Sequence, residues 1–462
     1  MDNTLLSLAQ SWTIQESEQN ATKELLKWID ERNRTLSVQI KKNGLSESQF
    51  WFYDSAEGCI RNRNRSFFSI TGFQQELPDG QVISHPILLQ QEIGYLGIIC
   101  REFHGVMHLL MQAKIEPGNV NHVQISPTIQ ATRSNFTQRH GGKQPPYLEY
   151  FLHAERYEIV FDQLQSEQSS RFYKKRNRNL MIRVQEDVPV LPDFRWMTLG
   201  QIKQLMRRPN LVNMDTRTVL SGVPFEKINV SSQELDELRA MFSDKALFDS
   251  LFAREKNELP AVFHRLNNWK MFYDKQEKFL PLHELPDWSM TDREIVCSHT
   301  FPFRVIFADI AIEGREVSHW TQPLFEADGI ALFGLFCCER NGRKEFLVHL
   351  TVEAGCFDCV EIGPTVQREA SAFHAADDAV SRLFFQKLEA QDGILFDQIL
   401  SEEGGRFYHE QNRNVVLSIP FSQLPSLPED YMLLDLKTLN ELVQFNNLLN
   451  IQLRNLLSVL EA

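Results

Sequence analysis

The stretch Ile125-Ser126-Pro127-Thr128-Ile129-Gln130 decides the fold, because it recurs 237 residues later as Ile362-Gly363-Pro364-Thr365-Val366-Gln367. Three further segments recur in the same order, with the offset changed by only two residues. They are Phe161-Asp162-Gln163-Leu164 with Phe396-Asp397-Gln398-Ile399, Arg171-Phe172-Tyr173 with Arg406-Phe407-Tyr408, and Asn177-Arg178-Asn179 with Asn412-Arg413-Asn414. The chain is therefore a tandem duplication, and each half is expected to have its own core.

The duplication predicts two domains, residues 1–225 and 226–462, joined within 220–236. Each half begins with a helical stretch and continues into short β-rich runs, which predicts an α+β unit with a mixed sheet flanked by helices. Predicted helices cover 21–34, 150–166 and 198–206 in the first half, and 235–257, 379–388 and 437–446 in the second. Predicted strands cover 67–70, 94–100, 106–113 and 120–125, and then 304–312, 330–338, 345–352 and 357–362.

Composition narrows the class of protein. The 462 residues are 42% hydrophobic and 24% charged, which is typical of a globular chain, and the formal net charge is −13. That acidity argues against nucleic-acid binding and against anionic membrane surfaces, because both need a basic face. No secretory signal and no apolar run of ~20 residues is visible. We therefore expect a cytoplasmic protein with no membrane and no nucleic-acid partner.

Seven cysteines, an odd number, are interpreted as reduced thiols. Cys356 and Cys359 have the spacing of metal ligands, but the first copy has Asn119 and His122 at the matching positions. A zinc site needs four convergent ligands. We favour buried thiols over zinc and predict no metal site.

The most polar segment, 130–143, has two arginines, one lysine, one histidine and many hydroxyl and amide groups, but no carboxylate. Arginine forks suit phosphate oxygens, and the pair Gly141-Gly142 lets backbone amides approach a ligand. The matching segment 367–378 has lost most donors and gained three carboxylates. This pattern favours an anion-binding loop in the first copy, with a solvated loop that drifted in one copy as the alternative.

Two other groups are candidates. A basic cluster spans 171–178, and its lysines are typical of a solvated face. Arg171, Asn177 and Arg178 differ from them because both copies keep these residues, which indicates a structural role or a binding role equally. Ser84-His85 aligns with Ser318-His319, which is followed by Trp320. An indole there could stack on a base or sugar ring, or belong to the core.

Several catalytic signatures are missing from the sequence: the dinucleotide-binding and phosphate-binding glycine motifs, the Gly-x-Ser-x-Gly elbow and His-Glu-x-x-His. The residues alone thus predict a duplicated α+β protein with a site for an anionic small molecule in the first copy. They do not name a reaction.

The chain also resembles a known family. Residues 110–120, 130–137 and 140–143, with Trp320-x-Gln322-Pro323 in the second half, are similar to the NDP-hexose 2,3-dehydratases. The resemblance covers almost the whole chain. It implies two tandem Nudix-like domains, a homodimer, and two nucleotide-sugar pockets per chain, one active and one vestigial. His85-Pro86 departs from the family pattern, which has a tryptophan-containing motif there.

The resemblance implies a lyase that acts on dTDP-4-keto-6-deoxy-D-glucose. A base removes the C3 proton, which the C4 ketone acidifies, and the C2 hydroxyl then leaves with help from an acid. The product is a 3,4-diketo-2,6-dideoxy sugar, which a partner 3-ketoreductase would consume; no cofactor is needed. The alternatives are a non-catalytic nucleotide-sugar binding homologue and a Nudix-type hydrolase, whose glutamate-rich magnesium box is not apparent.

On this resemblance we assign catalysis to His140, Glu116 and Tyr147, with Glu149 and Glu353 as other candidate bases. His140 is favoured because an unperturbed imidazole exchanges protons near neutral pH. We place the active pocket in the first copy. The predicted substrate-binding residues are Gln130, Thr132, Arg133, Ser134, Asn135, Arg139, Gly141, Lys143, Arg171, Asn177, Arg178, His319, Trp320, Gln322 and Gln367.

Overall fold

A computed structural model describes residues 2–136, 144–252, 259–315, 317–370 and 378–462. Its helices are α1 Asp2–Thr13, α2 Thr22–Thr35, α3 Arg133–Phe136, α4 Leu148–Leu152, α5 Leu199–Met206, α6 Met214–Ser221, α7 Ser232–Met241, α8 Lys245–Leu251, α9 Leu259–Phe272, α10 Ala379–Glu389, α11 Leu436–Val443 and α12 Ile451–Ser458.

The strands of the first half are β1 Val38–Lys42, β2 Trp51–Asp54, β3 Cys59–Asn62, β4 Ser69–Glu76, β5 Val82–Leu89, β6 Gly94–Phe103, β7 Val106–Ile115, β8 Val123–Ser126, β9 Ile129–Ala131, β10 Glu158–Ser166, β11 Arg176–Arg183 and β12 Phe194–Met197. Those of the second half are β13 Gln276–Leu280, β14 Trp288–Met290, β15 Glu294–Cys297, β16 Phe303–Ile312, β17 His319–Ala327, β18 Ala331–Arg340, β19 Arg343–Thr351, β20 Glu361–Gly363, β21 Val366–Arg368, β22 Ile394–Ser401, β23 Phe407–Tyr408, β24 Gln411–Ser418 and β25 Tyr431–Asp435.

Each half has a mixed core sheet with the same strand order. In the first half the order is β10-β11-β6-β7-β12, with β8 on β7 and β9 on β6; in the second it is β22-β24-β18-β19-β25, with β20 on β19 and β21 on β18. The central pairs β11·β6 and β24·β18 are parallel, and their neighbours are antiparallel. The α+β architecture with mixed sheets, repeated once, is thus confirmed.

Helices α6 and α12 pack against each other where the halves meet. Asn213 caps the first by accepting from Thr216 N at 2.8 Å, and Asn450 caps the second by accepting from Leu453 N at 2.9 Å. Arg217 crosses to the second half and donates to Ser401 O at 2.6 Å, while Arg454 donates to Ser166 O in the first. Both arginines are buried, so the contact between the helices is itself part of the core.

The two smaller sheets exchange strands. Strand β1 of the first half pairs with β16 of the second, and β13 of the second half pairs with β4 of the first. Each small sheet is therefore completed by the other half: β2, β3, β4 and β5 with β13, and β14, β15, β16, β17 and β23 with β1. This reciprocal exchange holds the two copies together as one folded unit.

A second reciprocal contact joins the turn after β7 to a loop of the other half. Gly118 N donates to Gly404 O at 2.7 Å, and Gly355 N donates to Ser169 O at 2.7 Å. A Cβ at Gly118 would lie 1.5 Å from the carbonyl oxygen of Phe407. Only glycine allows the backbones to approach this closely.

Two predicted helices were wrong. Residues 150–166 are mostly strand β10, which pairs antiparallel with β11, and only α4 is helical before it. Buried and more exposed side chains alternate around Asp162, which is the two-residue period of a strand. The high apolar content of the segment obscured this period in the sequence. The predicted helix 235–257 is split into α7 and α8, because Asp244 accepts from Leu247 N at 2.9 Å and starts α8 separately; its residues 253–257 lie outside the described ranges.

All seven cysteines are free thiols, and Cys356 and Cys359 form no disulfide. Within the described ranges, no helix is both long and apolar enough to cross a membrane.

The glycine contact gives a stability prediction. In Gly118→Ala the new methyl group has to push the 402–410 loop away, so we expect a loss of about 3 kcal/mol in the free energy of unfolding, measured by denaturant titration. Gly80→Ala is the control, because nothing lies within 4 Å of a Cβ there, although its φ of +85° has its own cost of about 1 kcal/mol. Equal losses in the two variants would contradict the packing described here.

Candidate active site

A cavity of about 540 Å³ opens between the first core sheet and the small sheet of the second half. Residues from both halves line it, which the reciprocal contacts make possible. The lining residues are Phe50, Trp51, Asn64, Phe67, Gln90, Gly94, Tyr95, Leu96, Lys114, Glu116, Pro117, Gln130, Ala131, Thr132, Asn135, Glu167, Phe172, Lys175, Asn177, Asp215, Arg315, Val317, His319, Trp320, Thr321, Gln322, Glu403, Gly405 and Arg406.

Glu116 lies at the centre of the polar wall, just past the end of β7. Its Oε1 accepts from Gln130 Nε2 at 2.9 Å and lies 3.9 Å from Lys114 Nζ. Among the described residues nothing pairs with its second oxygen, Oε2, although the side chain is buried. A buried carboxylate oxygen without a partner beside a cavity is a natural proton acceptor for a ligand.

Lys114 and Asp215 lie on the same wall. Lys114 Nζ donates to the backbone oxygen of Gln130 at 2.8 Å, which fixes the ammonium group beside Glu116. Burial raises the pKa of Asp215 well above its usual range, and the nearby Glu167, Glu116 and Glu403 raise it further. Burial beside these carboxyl groups therefore favours the neutral form of Asp215.

The opposite wall comes from the loop of the second half. Glu403 Oε1 accepts from Gly405 N at 3.0 Å, and within the described part of the chain its Oε2 has no partner. Burial raises the pKa of Glu403 to about 8, helped by the negative charge of Glu116. Arg406 lies over the ring of Phe67 at 4.2 Å and donates to Gln90 Oε1 at 3.2 Å. Burial thus favours the neutral, proton-donating form of Glu403 at the cavity wall.

A lysine and a carboxyl close the end of the cavity near β11. Lys175 Nζ donates to Glu92 O at 2.5 Å and to Asn177 Oδ1 at 2.9 Å, and burial lowers its pKa to about 8. Asn177 Nδ2 in turn donates to Glu167 Oε2 at 2.6 Å. Burial raises the pKa of Glu167 to about 7.

Aromatic side chains make up the rest of the lining. Trp320 Nε1 donates to Gln322 Oε1 at 2.9 Å, and Gln322 Nε2 donates to Gly405 O at 2.6 Å. These bonds hold the indole at the cavity wall together with Phe50 and Trp51. Flat apolar faces beside a charged wall suit a ligand with a planar ring at one end and polar groups at the other.

The second half has an equivalent site, which we call the twin site. It keeps the same scaffold: Gln367 Nε2 donates to Glu353 Oε1 at 2.9 Å, and Arg171 occupies the position of Arg406. Four ionisable residues of the cavity have different residue types at the matching positions of the twin site. Lys114, Lys175, Asp215 and Glu403 are replaced by Thr351, Glu410, Gln452 and Gln168.

Bulky side chains occupy the wall of the twin site. The strand pairing places Phe73 opposite His85, where the cavity side has Ala308 opposite Gln322. Phe73 is fully buried, and the ring of His85 lies 5.9 Å from that of Phe301. The proposed alignment of Ser84-His85 with Ser318-His319 was therefore wrong by three residues. Pro86 and Pro323, not the histidines, are the shared landmark.

The structure brings many of the predicted site residues together. Glu116, Gln130, Thr132, Asn135, Asn177, His319, Trp320 and Gln322 line the cavity. Ser134 lies beside it and donates to Glu92 Oε1 at 3.2 Å, while Arg133 is exposed at the start of α3. Arg139, His140, Gly141 and Lys143 lie outside the described residues.

Other predicted residues lie elsewhere. Tyr147 donates to Pro189 O at 2.7 Å, away from the cavity, and Glu149 is exposed and accepts from Gln144. Arg178 forms a bidentate ion pair with Asp162, and Arg413 forms the same pair with Asp397 in the second half. Its retention in both copies thus has a structural reason. Arg171, Gln367 and Glu353 belong to the twin site.

Lys114, Lys175, Asp215 and Glu403 line the cavity but were missed as site residues. The signal was present in the sequence, since each is a charged residue whose repeat partner has a different charge. Comparing the copies position by position, rather than in one loop, would have found them. Where side chains are described, no group of three His, Cys, Asp or Glu is placed to hold a metal ion.

Comparison with known proteins identifies the family. A family model for NDP-hexose 2,3-dehydratase matches residues 22–223 and 260–460. A dTDP-4-dehydro-6-deoxy-alpha-D-glucopyranose 2,3-dehydratase of Saccharopolyspora spinosa is 38% identical over 96% of this chain and 91% of its own. Proteins of the same name from Streptomyces violaceoruber and Amycolatopsis orientalis are 36% and 32% identical, over 93% and 98% of this chain and 95% and 93% of theirs.

The chain belongs to the NDP-hexose 2,3-dehydratase family. The family resemblance drawn from residues 110–120, 130–137, 140–143 and 320–323 is confirmed.

The raised pKa of Glu403 predicts how stability depends on pH. The carboxyl ionises near 4.5 when unfolded and near 8 when folded, so the folded state binds more protons between these values and loses stability as pH rises through the window. In Glu403→Gln this loss should be smaller, by at most about 1.4 kcal/mol per pH unit. The measurement is the free energy of unfolding from pH 4.5 to 8.

The exposed Glu57 gives the control, since Glu57→Gln should leave the curve parallel to that of the wild type. A parallel curve for Glu403→Gln as well would show that Glu403 is ionised in the folded protein.

Proposed function

We propose that this chain is a hydro-lyase that removes the C2 hydroxyl of dTDP-4-keto-6-deoxy-D-glucose and that the cavity is its active site. The observation that carries the proposal is a pair of buried carboxyl groups that face the cavity from opposite walls, each with one oxygen that has no partner among the described residues. Glu116 is placed as a base and Glu403 as an acid. A β-elimination needs a base that takes the proton from one carbon and an acid that protonates the leaving group on the next.

The lining of the cavity suits this substrate. Its aromatic side chains, Trp51 and Trp320 among them, suit the flat thymine ring. The side chains of Lys114, Glu116 and Glu403 suit the hexose, whose ketone and hydroxyls need donors and acceptors. Lys175 and Arg406 also line the cavity, and their positive charges suit a diphosphate.

In the first step the carboxylate of Glu116 takes the C3 proton, and the electrons of the C3–H bond form an enolate whose charge lies on the C4 oxygen. The ammonium group of Lys114, held by the backbone of Gln130, is placed to stabilise that oxygen. Its replacement by Thr351 in the twin site removes this charge, which supports the first copy as the active one.

In the second step the C4 carbonyl re-forms, a double bond forms between C3 and C2, and the C2–O bond breaks. The neutral Glu403 gives its proton to the departing hydroxyl, which leaves as water. The C3 enol then loses its hydroxyl proton while C2 gains one, giving the 3,4-diketo-2,6-dideoxy sugar. His140 and Tyr147 have no step in this scheme, which revises the catalytic roles first given to them.

The remaining expectations stay part of the proposal. Each core sheet is proposed to be a Nudix-like domain, on the strength of its mixed strand order. We also propose a homodimer in the cytoplasm, with a 3-ketoreductase as the functional partner, because a free 1,2-diketone is chemically labile.

The direct test incubates the purified full chain with dTDP-4-keto-6-deoxy-D-glucose in D₂O, with an NADPH-dependent 3-ketoreductase as a trap. We expect a 2-deoxy sugar nucleotide with deuterium at C2, identified by mass spectrometry. Unchanged substrate, with dTDP-sugar binding still seen by calorimetry, would instead identify a non-catalytic binding protein. Release of a sugar phosphate and dTMP would identify a hydrolase.

The duplication supplies a matched control. Glu116→Gln should lower kcat by roughly 10²-fold or more, because the amide cannot take a proton. Glu353→Gln removes the same charge from the same hydrogen bond in the twin site and should leave kcat unchanged. Equal effects of the two substitutions would contradict the assignment of the base.

A further inference from the structure

A chain of amide hydrogen bonds runs behind Glu116. Asn213 Nδ2 donates to Gln130 Oε1 at 3.1 Å and to Ser126 Oγ at 2.9 Å. Gln130 Nε2 then donates to Glu116 Oε1 at 2.9 Å. Asn213 is buried and does not line the cavity, so any effect on the ligand passes through Gln130.

The direction of this chain is set by the backbone. Asn213 Oδ1 accepts from Thr216 N at 2.8 Å, as the cap of α6. A backbone N–H can only donate, so the oxygen of Asn213 has to face it and the amino group has to face Gln130. Gln130 must then present its oxygen to Asn213 and its amino group to Glu116. Neither amide can turn over without losing a bond.

The fixed direction of these hydrogen bonds affects how Glu116 can act as a base. A donor that faces one carboxylate oxygen favours the charged form and leaves the other oxygen for the ligand. In Glu116 the oxygen Oε1 is occupied in this way, and Oε2 is the one without a described partner. The helix cap thus decides which oxygen of Glu116 is available.

We infer that Asn213 is a positioning residue for the dehydration, one that orients Glu116 through Gln130. The inference rests on the proposed function, because it concerns the base of that reaction. It adds a residue that touches neither substrate nor reacting atoms.

The twin site, which has no role in the proposed reaction, contains the same chain of hydrogen bonds. Asn450 Oδ1 accepts from Leu453 N at 2.9 Å, and Asn450 Nδ2 donates to Gln367 Oε1 at 2.8 Å. Gln367 in turn donates to Glu353. Substituting Asn450 therefore imposes a closely similar structural loss on the fold, and any extra effect of substituting Asn213 belongs to the reaction.

The test replaces each asparagine by aspartate. Asn213→Asp keeps the cap oxygen but has no N–H for Gln130, so the Gln130 amide turns over and presents its oxygen to Glu116. This favours protonated Glu116. We expect kcat at pH 7 to fall roughly 10–100-fold, with KM little changed, and the acidic limb of the kcat–pH profile to move to higher pH. Asn450→Asp should leave kcat and its pH profile unchanged.

The other ionisable groups near Glu116 are the same in both variants; they are Lys114, Glu167, Asp215, Glu403 and Arg406. The new carboxylate of Asn213→Asp adds to the effect of the lost donor, so an uncharged substitution is needed to isolate that donor. Asn213→Ser and Asn450→Ser form a milder pair, which keeps a capping oxygen too short to reach the glutamine. Their melting temperatures should fall alike, while kcat falls only in Asn213→Ser.

The outcomes separate the two proposals. An inactive wild type would sink the proposed function, and this inference with it. An active wild type whose Asn213 variants match the Asn450 variants in kcat and in pH profile would overturn the inference alone.

Discussion

The structure depends on the close approach of two backbones at Gly118 and Gly404, one from each copy. This contact brings Glu403, Gly405 and Arg406 of the second half over Glu116 of the first. The exchanged strands β1 and β13 make the arrangement reciprocal. The cavity is therefore a product of duplication in one chain, since neither copy carries both walls.

Because the fold is repeated within one chain, the cavity can be compared directly with the twin site. The scaffold around Glu116 and Gln130 is repeated around Glu353 and Gln367 with the same 2.9 Å bond. What differs is charge and bulk: Lys114 against Thr351, Glu403 against Gln168, and Ala308 against Phe73. The bond between glutamine and glutamate is thus a property of the fold. The ammonium, the neutral acid and the open space make one of the two sites suitable for chemistry.

Much of this could be predicted from sequence, and the failures have physical causes. The repeat fixed the two-part architecture, and six of the eight predicted strands lie within three residues of their observed bounds, although most of the strands in the described ranges were not predicted. Strand β10 was missed because local apolar content does not distinguish a strand from a helix when the pairing partner lies elsewhere in the chain. Glu403 differs from its repeat partner Gln168, which marks it as a candidate, but its place opposite Glu116 depends on a contact between the halves that no local pattern encodes. The pKa of about 8 likewise arises from burial by the other half.

The central claim is that one composite cavity, between the first core sheet and the 403–406 loop, binds and dehydrates the substrate. The most direct measurement is a crystal structure with dTDP-glucose, which lacks the C4 ketone and cannot react. The account predicts the hexose between Glu116 and Glu403, with the thymine ring against Trp320. A nucleotide sugar bound only beside Glu353 and Arg171, with this cavity empty, would contradict it.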